Sequence, residues 1–255
     1  MSALKLEGLR KCYGETVVLE NIDLELASGE FCTIVGASGC GKSTLLKMLL
    51  GQEAPTTGRL LLDGEPLPAE PSPERGIVYQ RYSVFRHMTV LENVCFGLGL
   101  RDGDRLFGYC FGSTRRAVRE RGRTLLAAVG LSEAADRYPS QLSGGMQQRL
   151  ALAQAIARKP PLLLLDEPFG ALDPGNRSAM HSLLLELWED ARMTVVMVTH
   201  DLPEAFSLGT RMLVLDRPET ADDRREGARI TYDLSLRRTP APPDAATDAP
   251  VESTP

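Results

Sequence analysis

The 255-residue chain has no long hydrophobic run, and its densest apolar stretch, Leu162 to Leu165, is only 4 residues long. A helix that crosses a bilayer needs about 20 consecutive apolar residues. The sequence therefore predicts no membrane span, and any link to a membrane requires a partner protein. Residues 1–10 also lack a basic segment followed by a long apolar one, so we expect no secretory signal.

Cysteine is scarce and scattered, with 5 residues, an odd number, and no Cys-x-x-Cys pair. This spacing disfavours zinc sites and disulfide frameworks, and it favours a reduced, cytosolic compartment. The net charge of −5 gives no basic footprint for nucleic acid, so we expect no nucleic-acid partner. Hydrophobic residues at 43% and charged residues at 25% are near globular averages, which excludes a wholly disordered chain.

Short β-branched runs alternate with helical stretches, which predicts a mostly parallel sheet with helices on its faces. The candidate strands are Phe31 to Val35, Gly76 to Tyr79, Leu162 to Leu165, Thr194 to Val198 and Arg211 to Leu215. Ile22, Leu24 and Leu26 alternate with acids, and Asp63-Gly64 is typical of a hairpin turn. We therefore expect a small antiparallel β layer beside the parallel core.

The strand pattern stops between residues 84 and 159, where Thr89-x-x-Glu92 predicts a capping box and two further stretches, 114–129 and 146–158, are helical in pattern. The predicted domains are a split core, 1–83 and 160–236, and a helical insert, 84–159. Residues 237–255 form an acidic, proline-rich segment that we predict to be a disordered tail. Within the core, Ile230, Tyr232, Leu234 and Leu236 alternate as in one more strand.

A glycine-rich loop follows the first parallel strand and fits the pattern G-x-x-x-x-G-K-[ST]. Its glycines let backbone N–H groups approach a polyphosphate, and the helix that follows points its positive dipole end at the anion. The lysine adds a cation, and Ser43 offers a hydroxyl to Mg²⁺. The predicted phosphate-binding residues are Gly36, Ala37, Ser38, Gly39, Cys40, Gly41, Lys42, Ser43 and Thr44.

Two adjacent carboxylates, Asp166 and Glu167, end the strand that starts at Leu162. Ligands bind at this end of the strands in open α/β sheets. Asp166 is a candidate for holding Mg²⁺, and Glu167 for orienting or deprotonating an attacking water, which favours hydrolysis over phosphotransfer. The alternative is that the pair only terminates a strand before Pro168.

The stretch Leu142-Ser143-Gly144-Gly145-Met146 precedes an apolar helix, with Ser143 as a good N-cap. With the phosphate loop and the acidic pair in the right order, the chain resembles the ABC ATPases, whose signature is LSGGQ. Met146 stands where glutamine is commonest in that signature. The resemblance covers about residues 4–215 and implies a P-loop NTPase (RecA-like) core with an antiparallel β subdomain and an inserted helical subdomain.

The same resemblance assigns roles to single residues. Tyr13 matches the aromatic that stacks on adenine, Gln80 the glutamine that touches Mg²⁺ or water, and His200 the histidine that contacts the γ-phosphate. Asp173 matches an aspartate that faces the second subunit. In the family each signature, here Ser143 to Met146, closes on the ATP held by the other subunit of a head-to-tail dimer.

The resemblance further implies the ATP-hydrolysing subunit of an importer at the cytoplasmic face of the membrane, with ATP and Mg²⁺ as cofactors. Its partners are transmembrane permease subunits, a second ATP-binding subunit, as a homodimer, and indirectly a solute-binding protein. The motifs around Met146, Asp173 and His200 are most similar to the nitrate/sulfonate/taurine type, and 80–85 with 227–233 resemble a branch associated with urea carboxylase and guanidine-type compounds.

Two other functions stay open: a non-transport ABC ATPase acting on DNA or ribosomes, and a small-molecule P-loop kinase. Two smaller features also have two interpretations each. The arginine-rich run 115–123 is either a solvated helix face or a contact to acidic loops or lipid headgroups. Cys40, inside the phosphate loop, is a candidate for redox control of ATP binding.

Overall fold

The computed structural model describes residues 2–68, 70–72, 74–80, 84–99, 112–170, 172–217 and 226–236. The predicted tail, 237–255, lies outside the described residues, as does Cys110. Within the described ranges, every helix is too short or too polar to span a bilayer.

Ten strands and six α-helices make up the described chain. The strands are Ser2–Tyr13 (β1), Thr16–Ala27 (β2), Phe31–Val35 (β3), Thr57–Leu62 (β4), Glu65–Pro66 (β5), Arg75–Val78 (β6), Leu162–Asp166 (β7), Thr194–Thr199 (β8), Arg211–Asp216 (β9) and Arg229–Ser235 (β10). The helices are Lys42–Leu50 (α1), Val90–Gly99 (α2), Gly112–Ala128 (α3), Gly144–Ile156 (α4), Pro174–Ala191 (α5) and Leu202–Leu208 (α6).

The central sheet has six strands in the order β10-β9-β3-β8-β7-β6. All of its pairs are parallel except β10 with β9. The five predicted parallel strands are confirmed, each to within one residue at either end. They are recognisable in the sequence because β3, β8 and most of β7 are buried on both faces and carry continuous apolar runs.

A second sheet is antiparallel, with the order β2-β1-β4-β5. The predicted alternation in β2 is confirmed, because Ile22, Leu24 and Leu26 are buried while the residues between them are exposed. The turn at Asp63-Gly64 joins β4 to β5 and has positive φ at both residues, 51° and 87°. Strand β1 was not predicted, since register irregularities break up its periodicity.

Helices α2, α3 and α4 occupy the segment between β6 and β7. The capping box at the start of α2 is confirmed: the Thr89 N–H donates to Glu92 Oε2 at 2.8 Å, and the Glu92 N–H donates to Thr89 Oγ1 at 3.3 Å. Val118 and Leu126 lie on the buried face of α3, while most of its arginines are exposed. The domain boundaries at 83/84 and 159/160 stay predictions.

Strand β10 departs from the simple alternation that its sequence predicts. A register shift between Ile230 and Tyr232 moves the later residues to the other face of the sheet. Ile230 packs against the core beside α1, whereas Leu236 packs against Ala205 of α6 and Met212 of β9. Tyr232 and Leu234, which lie between these contacts, are 64% and 40% exposed.

Candidate functional site

The glycine-rich loop between β3 and α1 requires glycine for two reasons: the lack of room for a Cβ atom and a positive φ angle. A Cβ on Gly36 would lie 2.2 Å from the Leu215 carbonyl oxygen. Gly41 has φ of 108°, and a Cβ there would lie 2.8 Å from Leu19 Cδ2. Neither position admits a larger residue, so the loop runs close to its neighbours and turns directly into α1.

Lys42, the first residue of α1, is almost fully buried, and its ammonium group lies inside the loop. Nζ donates to the Gly36 carbonyl at 2.6 Å and to the Ala37 carbonyl at 3.0 Å. Ala37, Ser38 and Gly39 are exposed, whereas Cys40 is buried. The cation and the N-terminal end of α1 therefore create a positive potential under an accessible stretch of backbone.

Asp166 and Ser43 come together at the carboxyl end of β7, where the Ser43 hydroxyl is close enough to the Asp166 carboxylate to favour its charged form. Burial and the charge of Glu167 raise the pKa of Asp166, while the cations Lys42 and Lys47 and the Ser43 hydroxyl act against that rise. The hydroxyl and carboxylate oxygens are donors that suit a hard cation such as Mg²⁺. No cluster of three or more His, Cys, Asp or Glu that could hold a metal exists in the described ranges, so further ligands would come from a bound phosphate or water.

Glu167 contacts Gln80 and His200, the two other residues that the sequence predicts to be catalytic. Its Oε1 lies 3.3 Å from His200 Nδ1, and its Oε2 accepts from Gln80 Nε2 at 3.5 Å. The backbone of Glu167 is left-handed, with φ of 44°, and its N–H donates to the Val198 carbonyl at 2.9 Å. Because of this turn, the two adjacent carboxylates point to different residues. Asp166 faces Ser43, and Glu167 faces His200.

The topology explains why these side chains meet. Gln80, Glu167 and His200 follow β6, β7 and β8, which are consecutive parallel strands of the central sheet. The phosphate loop follows β3, on the other side of β8. The loops after parallel strands gather at one edge of a sheet, and that edge carries the candidate site.

Tyr13 lies at the end of β1, about half exposed. Its hydroxyl donates to the Glu53 carboxylate and lies close to the side chain of Thr44, at the end of the phosphate loop. The Lys11 ammonium lies 4.9 Å from the centroid of the ring. The ring is therefore next to the loop, with its position fixed through Glu53, a residue that the sequence analysis did not nominate.

The signature residues Ser143 to Met146 lie elsewhere, at the start of α4. Ser143 is the N-cap, and its Oγ accepts from the Met146 N–H at 3.3 Å. A Cβ on Gly145 would lie 3.6 Å from the Asn176 side chain. Asn176 in turn donates to Asp173, the N-cap of α5, through its N–H at 3.1 Å and its side chain at 2.6 Å, and these bonds lower the pKa of Asp173.

Two groups of predicted residues thus emerge. One joins the phosphate loop, Asp166, Gln80, Glu167 and His200 around the ends of the parallel strands, with Tyr13 beside it. The other joins the signature to Asp173 through Asn176. The side-chain hydrogen bonds of Ser143 and Gln147 stay within residues 139–147 in the described part of the chain, and none reaches the phosphate loop.

A third group, behind His200, was missed by the sequence analysis. Glu204 on α6 is 4% exposed, accepts from Thr199 Oγ1 at 2.6 Å, and lies 3.2 Å from His181 Nε2 on α5. The sequence offers only the spacing of Asp201 and Glu204, which indicates a helix cap. That spacing gives no sign that the carboxylate is buried.

A model of the ABC transporter family matches residues 19–170, more than half of the chain. The chain belongs to the ABC transporter family. This family member is 43% identical over 223 residues to the aliphatic sulfonates import ATP-binding protein SsuB of Burkholderia ambifaria, an alignment that covers 88% of this chain and 64% of the relative. It is 46% identical over 222 residues to the Fe(3+) ions import ATP-binding protein FbpC of Mesorhizobium japonicum, covering 84% and 58%.

The ABC transporter fold is also evident in the comparison with solved structures. The dimeric ATP-binding cassette MJ0796, in a post-hydrolysis state bound to ADP and Pi, has a TM-score of 0.73 and 32% sequence identity, covering 92% of this chain and all of the other. This similarity confirms the predicted P-loop fold class. The chain spans less than two thirds of the length of the curated relatives it matches.

Proposed function

We propose that this protein binds Mg·ATP and hydrolyses it as the nucleotide-binding subunit of an ABC importer. The observation that carries the proposal is the meeting of Gln80, Glu167 and His200 beside the Ser43–Asp166 pair. These residues combine an oxygen site for a cation with a carboxylate and an imidazole at hydrogen-bonding distance. Such a combination serves phosphoryl transfer to water.

Each residue has a distinct role in this proposal. Lys42 and the backbone N–H groups of residues 36–41 bind the phosphates, and Tyr13 stacks on the adenine. Ser43, Asp166 and Gln80 hold Mg²⁺, which neutralises charge on the phosphates. Glu167 accepts a proton from the attacking water, and His200 contacts the γ-phosphate and keeps Glu167 in place.

The environment of the two carboxylates supports this division of work. Burial and the neighbouring Glu167 raise the pKa of Asp166, so a bound divalent cation would relieve repulsion at that position. The Glu167 side chain is 24% exposed, which leaves room for a water molecule. The pair therefore separates cation binding from water activation.

The active form in this proposal is a head-to-tail dimer of two copies. Ser143 and Asp173 are exposed, and their described side-chain hydrogen bonds go to Met146 and Asn176 and not to the phosphate loop. In the proposal, the N-terminal end of α4 is therefore available to the ATP of a second copy. The two glycines after Ser143 allow close approach to an anion. The solved cassette MJ0796 is described as dimeric, which favours the same arrangement here.

Permease subunits are the proposed membrane partners, since the printed names of the relatives describe import ATP-binding proteins. A cleft of about 260 Å³ lies beside Tyr79, and it is lined by β6, α2 and α4. Phe85, Phe96 and Arg158 contribute to its walls. We propose that a permease segment docks there, which would hold the protein at the cytoplasmic face of the membrane and link it indirectly to a solute-binding protein.

The proposed solute class follows the nitrate/sulfonate/taurine type, in line with the printed name of the SsuB relative. In this proposal the residues of the candidate site all bind or act on ATP. The permease and the binding protein therefore select the solute. The resemblance of 80–85 and 227–233 to the guanidine-associated branch is tested by transport assays with the intact complex.

The experiment that tests the proposed function follows the γ-phosphate of radiolabelled ATP in the presence of Mg²⁺. We expect free phosphate as the product, with the rate lost in Lys42→Ala. Label on an acceptor molecule would instead indicate the small-molecule kinase. Hydrolysis that rises with DNA or ribosomes, and not with permease, would indicate the non-transport ABC ATPase.

A further inference from the structure

Glu204 is a buried carboxylate that has no role in the proposed ATP site. It lies on α6 and is 4% exposed. Its Oε2 accepts from Thr199 Oγ1 at 2.6 Å, and its Oε1 lies 3.2 Å from His181 Nε2. Removing a carboxylate from water is costly unless it is paired and hydrogen-bonded, so the two contacts are a condition for its burial.

The hydrogen bonds around Glu204 hold His200 from both sides along the chain. Thr199 Oγ1 accepts from the Asp201 N–H at 3.1 Å, and Asp201 Oδ1 accepts from the Glu204 N–H at 3.1 Å. Both neighbours of His200 are therefore tied to Glu204. The His200 side chain itself is 62% exposed, so the backbone of its neighbours largely determines where the imidazole lies.

A second line of contacts reaches the loop that carries Glu167. The His181 ring meets the Phe169 ring edge to face, with centroids 4.7 Å apart. Phe169 is buried and follows Glu167 by two residues. His200 Nδ1 in turn lies 3.3 Å from Glu167 Oε1. Glu204 is therefore linked to Glu167 along the chain from Phe169, which His181 contacts, and through the contacts of Thr199 and His200.

A parallel connection runs through Arg177 of α5. Its guanidinium lies 3.1 Å from Asp201 Oδ2, and a second nitrogen donates to the Leu172 carbonyl at 3.4 Å. Arg177 thus links the residue after His200 to the segment that leads into Asp173. In the described part of the chain, the titratable and charged side chains linked to Glu204 are therefore His181, Asp201 and, through Asp201, Arg177.

We propose that Glu204, Thr199 and His181, together the Glu204 cluster, are positioning residues that set the distance between His200 and Glu167 and thereby the rate of ATP cleavage. This inference rests on the proposed function. None of the three side chains touches the reacting atoms in the proposal. A displacement of about 1 Å in a catalytic group can lower a rate about 100-fold, so a cluster of this kind acts on turnover more than on ATP affinity.

The test compares Thr199→Val with Thr199→Ser in the full-length protein. Valine matches threonine in shape but leaves Glu204 Oε2 without its donor, whereas serine keeps the hydroxyl. We expect kcat to fall about 10-fold or more in Thr199→Val, with the KM for ATP changed less than about 2-fold, and to stay near wild type in Thr199→Ser. Ser207→Ala, which removes a hydrogen bond to the Glu204 backbone carbonyl only, is the control.

A second measurement does not depend on ATP hydrolysis. The chain has 3 histidines, His87, His181 and His200, so their imidazole resonances can be assigned by single substitutions. Thr199→Val should shift the His200 resonances and leave those of His87 unchanged. Where Thr199→Val does not fold, Thr199→Ala takes its place, since it also removes the donor to Glu204 and should lower kcat and shift the His200 resonances in the same way. Glu204→Gln, whose amide can still accept from Thr199 and donate to His181, should keep both kcat and the His200 resonances close to wild type.

The outcomes separate the inference from the proposed function. A folded Thr199→Val protein with wild-type kcat, or with unshifted His200 resonances, overturns the positioning role. A Thr199→Val protein that loses thermal stability without a change in kcat also overturns the positioning role, because the cluster then contributes to stability only. A wild-type protein that releases no phosphate overturns the proposed function, and the His200 resonances then still decide whether the cluster positions that side chain.

Discussion

His200 Nδ1 lies 3.3 Å from Glu167 Oε1, although 32 positions separate the two residues in sequence. The contact exists because each residue directly follows one of two paired parallel strands, β8 and β7. An imidazole at this distance orients the carboxylate and competes with water for one of its oxygens. The other oxygen, Oε2, faces Gln80.

Replacing Glu167 with Gln should lower ATP turnover on the order of 10² to 10⁴-fold, because an amide cannot take a proton from water. ATP binding should persist, and the bound ATP, which is no longer hydrolysed, should stabilise the dimer. Phosphate release and light scattering with ATP measure the two effects. Glu186→Gln, an exposed glutamate on α5, is the matched control, and unchanged hydrolysis in Glu167→Gln would remove this residue as the base.

Mixing a Ser143→Arg protein with a Lys42→Ala protein should restore activity that neither has alone. In a head-to-tail dimer, the mixed pair has one site built from the intact phosphate loop of one copy and the intact signature of the other. Random pairing at equal amounts gives about a quarter of the wild-type number of sites. A mixture no more active than the sum of its components would contradict the composite site.

Tyr13→Ala should weaken ATP binding about 3- to 10-fold, because a stacked aromatic contributes about 0.5–1.5 kcal/mol. Tyr13→Phe keeps the ring and loses the hydroxyl bond to Glu53, so we expect a smaller change. Calorimetric titration with ATP measures both variants. Equal affinity for Tyr13→Ala and wild type would mean that the adenine lies elsewhere.

Asp233→Asn should lower thermal stability at neutral pH but not in acid. Hydrogen bonds from Arg211 lower the pKa of Asp233 below its ordinary value of 3.8. An acid whose pKa is lowered by folding stabilises the protein above the unfolded pKa, and that contribution is lost as the pH falls through the folded value. Because both side chains are partly exposed, we expect about 1 kcal/mol, or about 2–4 °C in Tm.

The measurement for Asp233 is a series of thermal melts of both proteins from about pH 7 down to about pH 2.5. The difference in Tm should shrink steadily as the pH falls below about 4. Asp63→Asn is the control, since Asp63 is exposed and asparagine adopts its left-handed backbone as readily. A difference that stays constant with pH would mean that the Asp233 charge contributes nothing.

The parallel strands and the glycine-rich loop after β3 were predictable because each has a local signal. Phe31 to Val35 is a continuous apolar run, and Gly36 to Ser43 follows it at fixed spacing. The pair Thr89 and Glu92 likewise predicted the start of a helix, and the hydrogen bonds between them confirm it. These features depend on residues close together in the chain.

Features that depend on distant residues were not predictable. The burial of Glu204 results from α5 and β8, which bring His181 and Thr199 to it, and no spacing in the sequence records that meeting. The same holds for Asn176 between Gly145 and Asp173. Strand β1 was missed because its irregular register hides the period of two on which strand recognition depends.

The register shift in β10 also bears on edge-to-edge pairing between the sheets of two molecules. This strand is at the edge of the six-stranded sheet in the described part of the chain, and edge strands offer unpaired backbone groups to neighbouring chains. The irregularity between Ile230 and Tyr232, with Asp233 held by Arg211, interrupts the flat hydrogen-bonding pattern that a second sheet would need. An exposed tyrosine and leucine can therefore be tolerated at this edge with a lower risk that sheets from two molecules join into aggregates.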